Sequence, residues 1–365
     1  MSVQQAYLAE LQARGFKSDP AQQPAVTVLG QCAQNWANYK AARSNAIKKL
    51  ISRPAIPCGV YLYGGVGRGK SFLMEIFFAA VPLKRKVRLH FHEFMREVHR
   101  ELNNLQGQVN PLDVLAKGIA RKYRLICFDE FHVADITDAL ILHRLLSALF
   151  ENNVGLVATS NFKPDDLYPG GMHRDRILPA IALLNANMTV VKVDNGVDYR
   201  KRTLERLKLY HQPLGRVADA AMRDAFGQLA ETSDENPVLH IEAREIHARR
   251  RAGGVVWFDF KSLCGGPRSQ NDYLEIAAQF HTVLLSEVPE MSVRMASEAR
   301  RFTWLVDVLY DQHVKLILSA AVAPDGLYRE GPLAHEFPRT VSRLFEMQTQ
   351  EYLNLERRGI AQPLQ

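Results

Sequence analysis

Gly64-Gly65-Val66-Gly67-Arg68-Gly69-Lys70-Ser71 fits the pattern G-x-x-x-x-G-K-[ST]. Before it, Val60-Tyr61-Leu62-Tyr63 is apolar and β-prone. After it, Phe72-Leu73-Met74-Glu75-Ile76-Phe77-Phe78 carries good helix formers. Strand, glycine loop and helix in that order are the context the motif requires. Glycines let successive backbone N–H groups turn inward around phosphate oxygens, and the following helix N-terminus favours negative charge. Lys70 is placed to reach the β- and γ-phosphates, and the Ser71 hydroxyl to ligate Mg²⁺. The nucleotide-binding set therefore runs through Gly64, Gly65, Val66, Gly67, Arg68, Gly69, Lys70, Ser71 and Phe72. A turn that merely joins a strand to a helix needs neither this glycine density nor the Lys-Ser ending. The expected ligands are ATP and Mg²⁺.

The rest of the composition sets bounds. A chain of 365 residues is long for one compact domain. Its 47% hydrophobic and 23% charged residues are ordinary for a globular protein. The balance of 46 basic to 39 acidic residues gives +7, which tolerates nucleic acid or anionic lipid without demanding either. Cys32, Cys58, Cys127 and Cys264 form no C-x-x-C pair, so no disulfide framework or zinc site is indicated. No apolar run approaches the roughly 18 residues of a membrane span, and Met1 to Phe16 lacks the apolar core of a signal peptide. A bacterial cytoplasmic protein is expected, with peripheral membrane contact left open.

In chain order, Ala33 to Ile51 has helical spacing with a basic face, and Pro54 and Pro57 stop it. Val87 to Phe91 alternates like a strand, Glu93 to Leu102 reads as a helix, and Asn103 to Pro111 as a polar loop. A strand puts His90 and His92 on one face, but no cysteine or carboxylate cluster near them or His99 completes a metal site. Leu125-Ile126-Cys127-Phe128-Asp129-Glu130 is a buried-strand run ending in two carboxylates, roughly 60 residues after the loop, a Walker B pattern. Asp129 suits Mg²⁺, and Glu130 suits the base that polarises the attacking water. Ala134 to Phe150 reads as a helix and Val154 to Asn161 as a strand with a polar tip. The Asn161 amide can hydrogen-bond the lytic water or γ-phosphate, or serve as a turn residue before Pro164. Arg174 and Arg176 are candidates for a finger that crosses a subunit boundary, or for surface ion pairs. Met188 to Val193 is a fifth strand, leading through Tyr199-Arg200-Lys201-Arg202 toward a helix.

Further stretches narrow the resemblance. They include His90-Phe91-His92-Glu93-Phe94-Met95, Phe128-Asp129-Glu130-Phe131, and Thr159-Ser160-Asn161 with Leu167-Tyr168-Pro169. Downstream are His240-Ile241-Glu242-Ala243-Arg244-Glu245-Ile246, Trp257-Phe258-Asp259-Phe260, Ser286-Glu287-Val288-Pro289 and Ala299-Arg300-Arg301-Phe302. Over about residues 55–350 the chain resembles AAA+ P-loop ATPases, and more narrowly the family of the cell-division protein ZapE and its mitochondrial AFG-type relatives. The resemblance implies a parallel sheet flanked by helices, with Asn161 as the first sensor. It also implies ATP hydrolysis coupled to remodelling a protein client, FtsZ at the division ring in a bacterium, and a homo-oligomeric ring with the finger in trans. Arg68 stands where a small residue is usual, and Glu287 where an aspartate is common.

The expected organisation is α/β. It has an N-terminal helical region (1–55), a P-loop ATPase core (56–205), a C-terminal α/β region with a β-hairpin (206–350) and a polar, loosely held tail (351–365). Val238 to Phe260 alternates around Gly253-Gly254, the hairpin turn. The run from Val314 to Tyr328 echoes Val154 to Tyr168, from either an old duplication or two independent strand–turn edges. No second P-loop accompanies it. Arg300 and Arg301 are candidates for a second sensor, an interface pair or a solvated helix start. A nucleic-acid-acting helicase loader is the rival function, supported by the net charge and Arg249-Arg250-Arg251. The aromatic–basic alternation of single-strand binders is lacking, so nucleic acid is not the expected partner.

Overall fold

The computed structural model describes residues 2–13, 18–44, 54–65, 67–133, 136–168, 173–193, 204–230, 232–241 and 244–358. Val66, Pro169, Tyr199 to Arg202, Glu242, Ala243, the far end of the basic helix and the last seven residues of the tail lie outside the described residues. The chain divides into two compact units, Met1–Asp198 and Tyr199–Gln365.

The first unit holds β1 (Gly59–Tyr63), β2 (Lys86–His90), β3 (Leu125–Asp129), β4 (Gly155–Ser160) and β5 (Met188–Lys192). They form one sheet in the order β2-β3-β4-β1-β5, every pairing parallel. A parallel sheet covered on both faces reads as apolar runs, clearest in its central strands. All five residues of β3 and all six of β4 are buried. Val60 and Leu62 face α1 (Val3–Ala13), α2 (Gln23–Ala42) and α3 (Lys70–Ala80). Tyr61, Ile126 and Phe128 face α4 (Phe91–Asn104), α5 (Pro111–Lys122), α6 (Ile136–Glu151) and α7 (Leu178–Asn187).

Three expectations change. α2 begins at Gln23 rather than Ala33, with Pro24 tolerated in its first turn. α5 was read as no element. Asn110, left-handed at φ 55°, ends a short loop, and Pro111 then opens the helix. β2 stops at His90, so His92 belongs to α4. Phe91 turns into the core there, its ring 4.1 Å from that of Phe131.

α2 is a working part of the first core. The buried Trp36 ring lies so close to β4 that a Cβ on Gly155 would sit 2.4 Å from its Cζ2. Gly155→Ala should cost about 1–3 kcal/mol through overpacking, read as a lower denaturant midpoint at unchanged slope. An unchanged midpoint would mean that Trp36 is not fixed against the strand.

The second unit holds β6 (Tyr210–His211), α8 (Arg216–Leu229), β7 (Val238–Ile241), β8 (Arg244–His247), β9 (Arg250–Ala252) and β10 (Val255–Asp259). α9 (Phe260–Cys264), α10 (Gln270–Gln279), β11 (Thr282–Val288), α11 (Ala296–Asp311), β12 (Lys315–Ala320), α12 (Phe337–Glu346) and α13 (Gln350–Asn354) follow. Its sheet runs β6-β12-β11-β10-β9, parallel except for β9. The hairpin across Gly253-Gly254 is present but short. Residues 238–247 pair among themselves as β7–β8 instead of extending it, burying Leu239, Ile241 and Ile246 in the local core. The start of the tail is held rather than loose. Tyr352 is buried, and Arg357 donates to the Ala277 carbonyl.

The echo between the halves goes well beyond one strand. Strands β6-β12-β11-β10 repeat the order β1-β4-β3-β2. Residues 136–151, 155–160 and 164–166 recur at one constant offset as 296–311, 315–320 and 324–326. Tyr61 pairs with Ala158 and donates to the Phe162 carbonyl at 3.1 Å. Tyr210 pairs with Leu318 and donates to Val322 at 2.6 Å. Glu130 and Glu287 are both left-handed, at φ 52° and 62°. Each donates its N–H to a hydroxyl on the next strand, Thr159 or Ser319. Independent strand–turn edges give no reason for matching offsets, registers and side-chain bonds together. Tandem duplication does.

Candidate nucleotide site

The loop opens at the carboxyl end of β1, where an α/β sheet of this kind takes its ligands. Gly64 (φ 155°) passes so close to the next strand's exit that a Cβ would meet the Val193 carbonyl oxygen at 2.1 Å. Gly69 is left-handed at φ 75° and immediately precedes α3, so only glycine enters this helix without strain. Lys70, at the first position of α3, is buried. Its Nζ donates to Gly64 O (2.9 Å), Gly65 O (2.7 Å) and Asn161 Oδ1 (3.0 Å). The ammonium thus has three acceptors, two of them from the loop itself.

β3 delivers the carboxylates beside it. Asp129 is buried, and a buried carboxylate needs a cation or donors. Arg88 supplies one, with Nε 2.5 Å from Oδ2, while its Nη2 reaches Ser71 O at 3.4 Å. Thr159 donates to Asp129 Oδ1 at 3.3 Å. Glu130 is more exposed, with its Oε2 3.9 Å from His90 Nδ1. Its left-handed backbone costs on the order of 1–2 kcal/mol and is offset in part by the Thr159 bond. β4 is fastened by Ser160 Oγ donating to Phe131 O at 2.7 Å and accepting from Phe162 N at 3.1 Å. Burial pushes the Tyr61 hydroxyl well up, so it stays a donor to Phe162 O.

The fold brings together Gly64, Gly65, Lys70, Ser71, Asp129, Glu130 and Asn161. It does not bring in the arginines of the next segment. Arg174 and Arg176 lie on the turn 174–176. Arg174 bonds the Asp165 carbonyl at 2.6 Å, and Arg176 pairs with its neighbour Asp175 at 3.6 Å. Arg301 donates to Cys264 O within the second unit.

Two contributors had escaped the sequence. Gln22, buried, donates from Nε2 to Arg68 O at 3.0 Å and accepts from the Tyr7 hydroxyl at 3.0 Å, tying the N-terminal helices to the loop. Nothing in the sequence signals this. Arg88 was legible in principle, because an arginine inside an alternating strand beside a buried-strand carboxylate has to be paired. Arg68, standing where a small residue is usual, is accommodated along the loop. Its guanidinium lies over Gly65, with Nε 3.3 Å from where a Cβ would stand, so the long side chain folds across the loop.

Mg²⁺ fits this donor set: a hydroxyl (Ser71) and a buried carboxylate (Asp129) are hard oxygens of the kind it prefers. The second unit has no glycine-rich loop at the equivalent place. Only Gln212-Pro213-Leu214-Gly215 separates β6 from α8. Arg249 gathers the carboxylates there, paired with Asp259 and with Glu287 (2.6 Å), and 3.9 Å from Asp219. Burial raises the Asp259 carboxyl above its ordinary range against the opposing pull of Arg249.

Strand order, glycine loop, Lys70 and the Asp129-Glu130 pair together define a P-loop ATPase of the AAA+ type. The chain belongs to the AFG1-like ATPase family, whose model matches residues 1–356. It is 46% identical over 299 residues to cell division protein ZapE of Escherichia coli K12, covering 82% of this chain and 80% of that one. It is 36% identical over 348 residues to lactation elevated protein 1 homolog B of Danio rerio, covering 82% and 69%. Among solved structures, AMPPCP-bound DnaA from Aquifex aeolicus shares 14% identity at a TM-score of 0.36, over 52% of each chain. Domain III of Thermotoga maritima DnaA shares 16% at 0.36, over 57% of this chain and 71% of that one. These two likenesses are too slight to add to what strand order establishes. Among the described residues, no helix is long and apolar enough to cross a membrane.

Proposed function

We propose that the first unit hydrolyses Mg²⁺-ATP and that the protein couples this to remodelling a protein partner. The observation that carries the reading is Lys70, buried and bonded at once to the glycine loop and to Asn161 at the tip of the neighbouring strand. In this reading Lys70 exchanges loop carbonyls for β- and γ-phosphate oxygens, and Asn161 orients the water or γ-phosphate. Glu130 takes the proton of the water whose oxygen bonds to the γ-phosphorus as the β–γ bridging bond breaks. Ser71 and Asp129 hold Mg²⁺, which when bound offsets the charge of the triphosphate. Arg174 and Arg176, exposed or half-buried, suit a finger offered to a neighbouring copy in a ring. The test is ATP turnover with and without Mg²⁺. Turnover that survives full chelation would contradict it.

The client is proposed from the family resemblance drawn on the sequence: FtsZ, at the bacterial division site. ATP-dependent cosedimentation with FtsZ polymers is the expected result, and none in any nucleotide state would remove FtsZ from the proposal. The helicase-loader reading loses its main feature. Arg249 is neutralised as described above, Arg250 holds Asp234 through two bonds of 2.8 Å, and Arg251 pairs with Glu235 at 2.9 Å. An arginine run spent on internal carboxylates offers little to phosphates.

Gln22→Ala should weaken ATP binding about three- to tenfold, the worth of one lost hydrogen bond that positions the loop. A fluorescent ATP analogue titrated into both proteins measures it. Equal affinities would mean the Gln22 contact does not shape the cradle.

A further inference from the structure

Outside the nucleotide crevice, the second unit carries a cavity of about 530 Å³ lined by Arg244, Arg268, Arg300, Arg301, Trp304 and apolar side chains that include Pro267 and Leu333. Four guanidiniums converge there, but only two carboxylates answer them. Arg244 takes Asp272, at 2.7 and 2.8 Å, and Arg301 sits 3.6 Å from Glu298. Among the described residues Arg268 bonds only the Pro267 and Ser262 carbonyls, and its buried Nε has no acceptor. Arg300 is exposed and makes no bond or ion pair within the described residues. Two positive charges are therefore left uncompensated beside a half-buried indole.

We infer that this cavity docks an acidic peptide segment, with carboxylates on Arg268 and Arg300 and an apolar side chain against Trp304. The inference rests on the protein-client reading and names the kind of segment such a client would present. A carboxylate-bearing peptide is favoured over nucleic acid for two reasons. The guanidiniums already satisfied here hold carboxylates, and the donors are side chains rather than a converging nest of backbone amides of the kind that cradles phosphate. The lining is also particular to this unit. At the duplicated positions, the first unit has Leu140, Ile141 and Arg144 in place of Arg300, Arg301 and Trp304.

The test uses the full chain and a fluorescein-labelled Glu-Leu-Glu-Glu-Leu-Glu peptide, followed by anisotropy, with an Arg206→Glu control on an exposed arginine of the same unit. Saturable binding should weaken at least about tenfold in Arg300→Glu, and similarly in Trp304→Ala, while Arg206→Glu binds like the parent. Affinity for the ATP analogue should be the same in all four proteins. That separates loss of the docking site from failure of the ATPase reading, which would show in nucleotide binding instead. No binding, an equal loss in Arg206→Glu, or displacement of the peptide by a ten-nucleotide oligothymidylate at lower concentration would each overturn the inference.

Discussion

Glu130→Gln will leave ATP bound while turnover falls by about two to four orders of magnitude, the usual loss when a general base is removed. The reason lies in how β3 ends. Asp129 is buried and tied to Arg88 and Thr159, whereas Glu130 is turned out by its left-handed backbone and stands partly exposed beside it. One carboxylate is committed to the floor of the site, and the other is free to meet water. Glutamine keeps the size and the backbone N–H bond to Thr159 but cannot take a proton. Single-turnover hydrolysis alongside equilibrium binding separates the two effects. Unaltered turnover would refute the base assignment.

Lys70→Ala acts one step earlier, on binding itself. Removing the ammonium takes a charged donor from the triphosphate and leaves Gly64 O, Gly65 O and Asn161 Oδ1 without their shared partner. Charged hydrogen bonds contribute about 1.5–3 kcal/mol each, so a loss of at least about a hundredfold in ATP affinity is expected. Lys70→Arg should not restore it, because a planar fork cannot occupy a buried point with three acceptors around it. Near-parental affinity in either variant would mean the lysine serves the loop alone.

Much of this was legible in the sequence because the parallel sheet writes itself in buried runs. Leu125 to Asp129 and Gly155 to Ser160 needed no partner to be read as strands, and the glycine spacing placed the loop. The readings that failed depended on partners far along the chain. Arg249, Arg250 and Arg251 looked like a basic patch because Asp234, Glu235, Asp259 and Glu287 meet them only once the second sheet forms. His92 looked like a strand residue until the packing of Phe91 ended β2. α5 was hidden because Pro111 reads as the end of the polar loop although it also suits a first helical position, and because Gly118 is a weak helix former whose cost the tertiary contacts outweigh. The contact from Gln22 to Arg68 bridges two segments that no local pattern connects. The duplication showed in sequence as a single echo, since its firmest marks are registers and backbone angles.

The most direct measurement is the number of ATP molecules bound per chain in Glu130→Gln, by equilibrium dialysis with Mg²⁺ present, repeated with Lys70→Ala added. The glycine loop and its lysine occur once, and at the duplicated place Arg249 is paired with Asp259 and Glu287. One ATP per chain, lost when Lys70 is replaced, is the predicted result. Two per chain, or binding indifferent to Lys70, would contradict it.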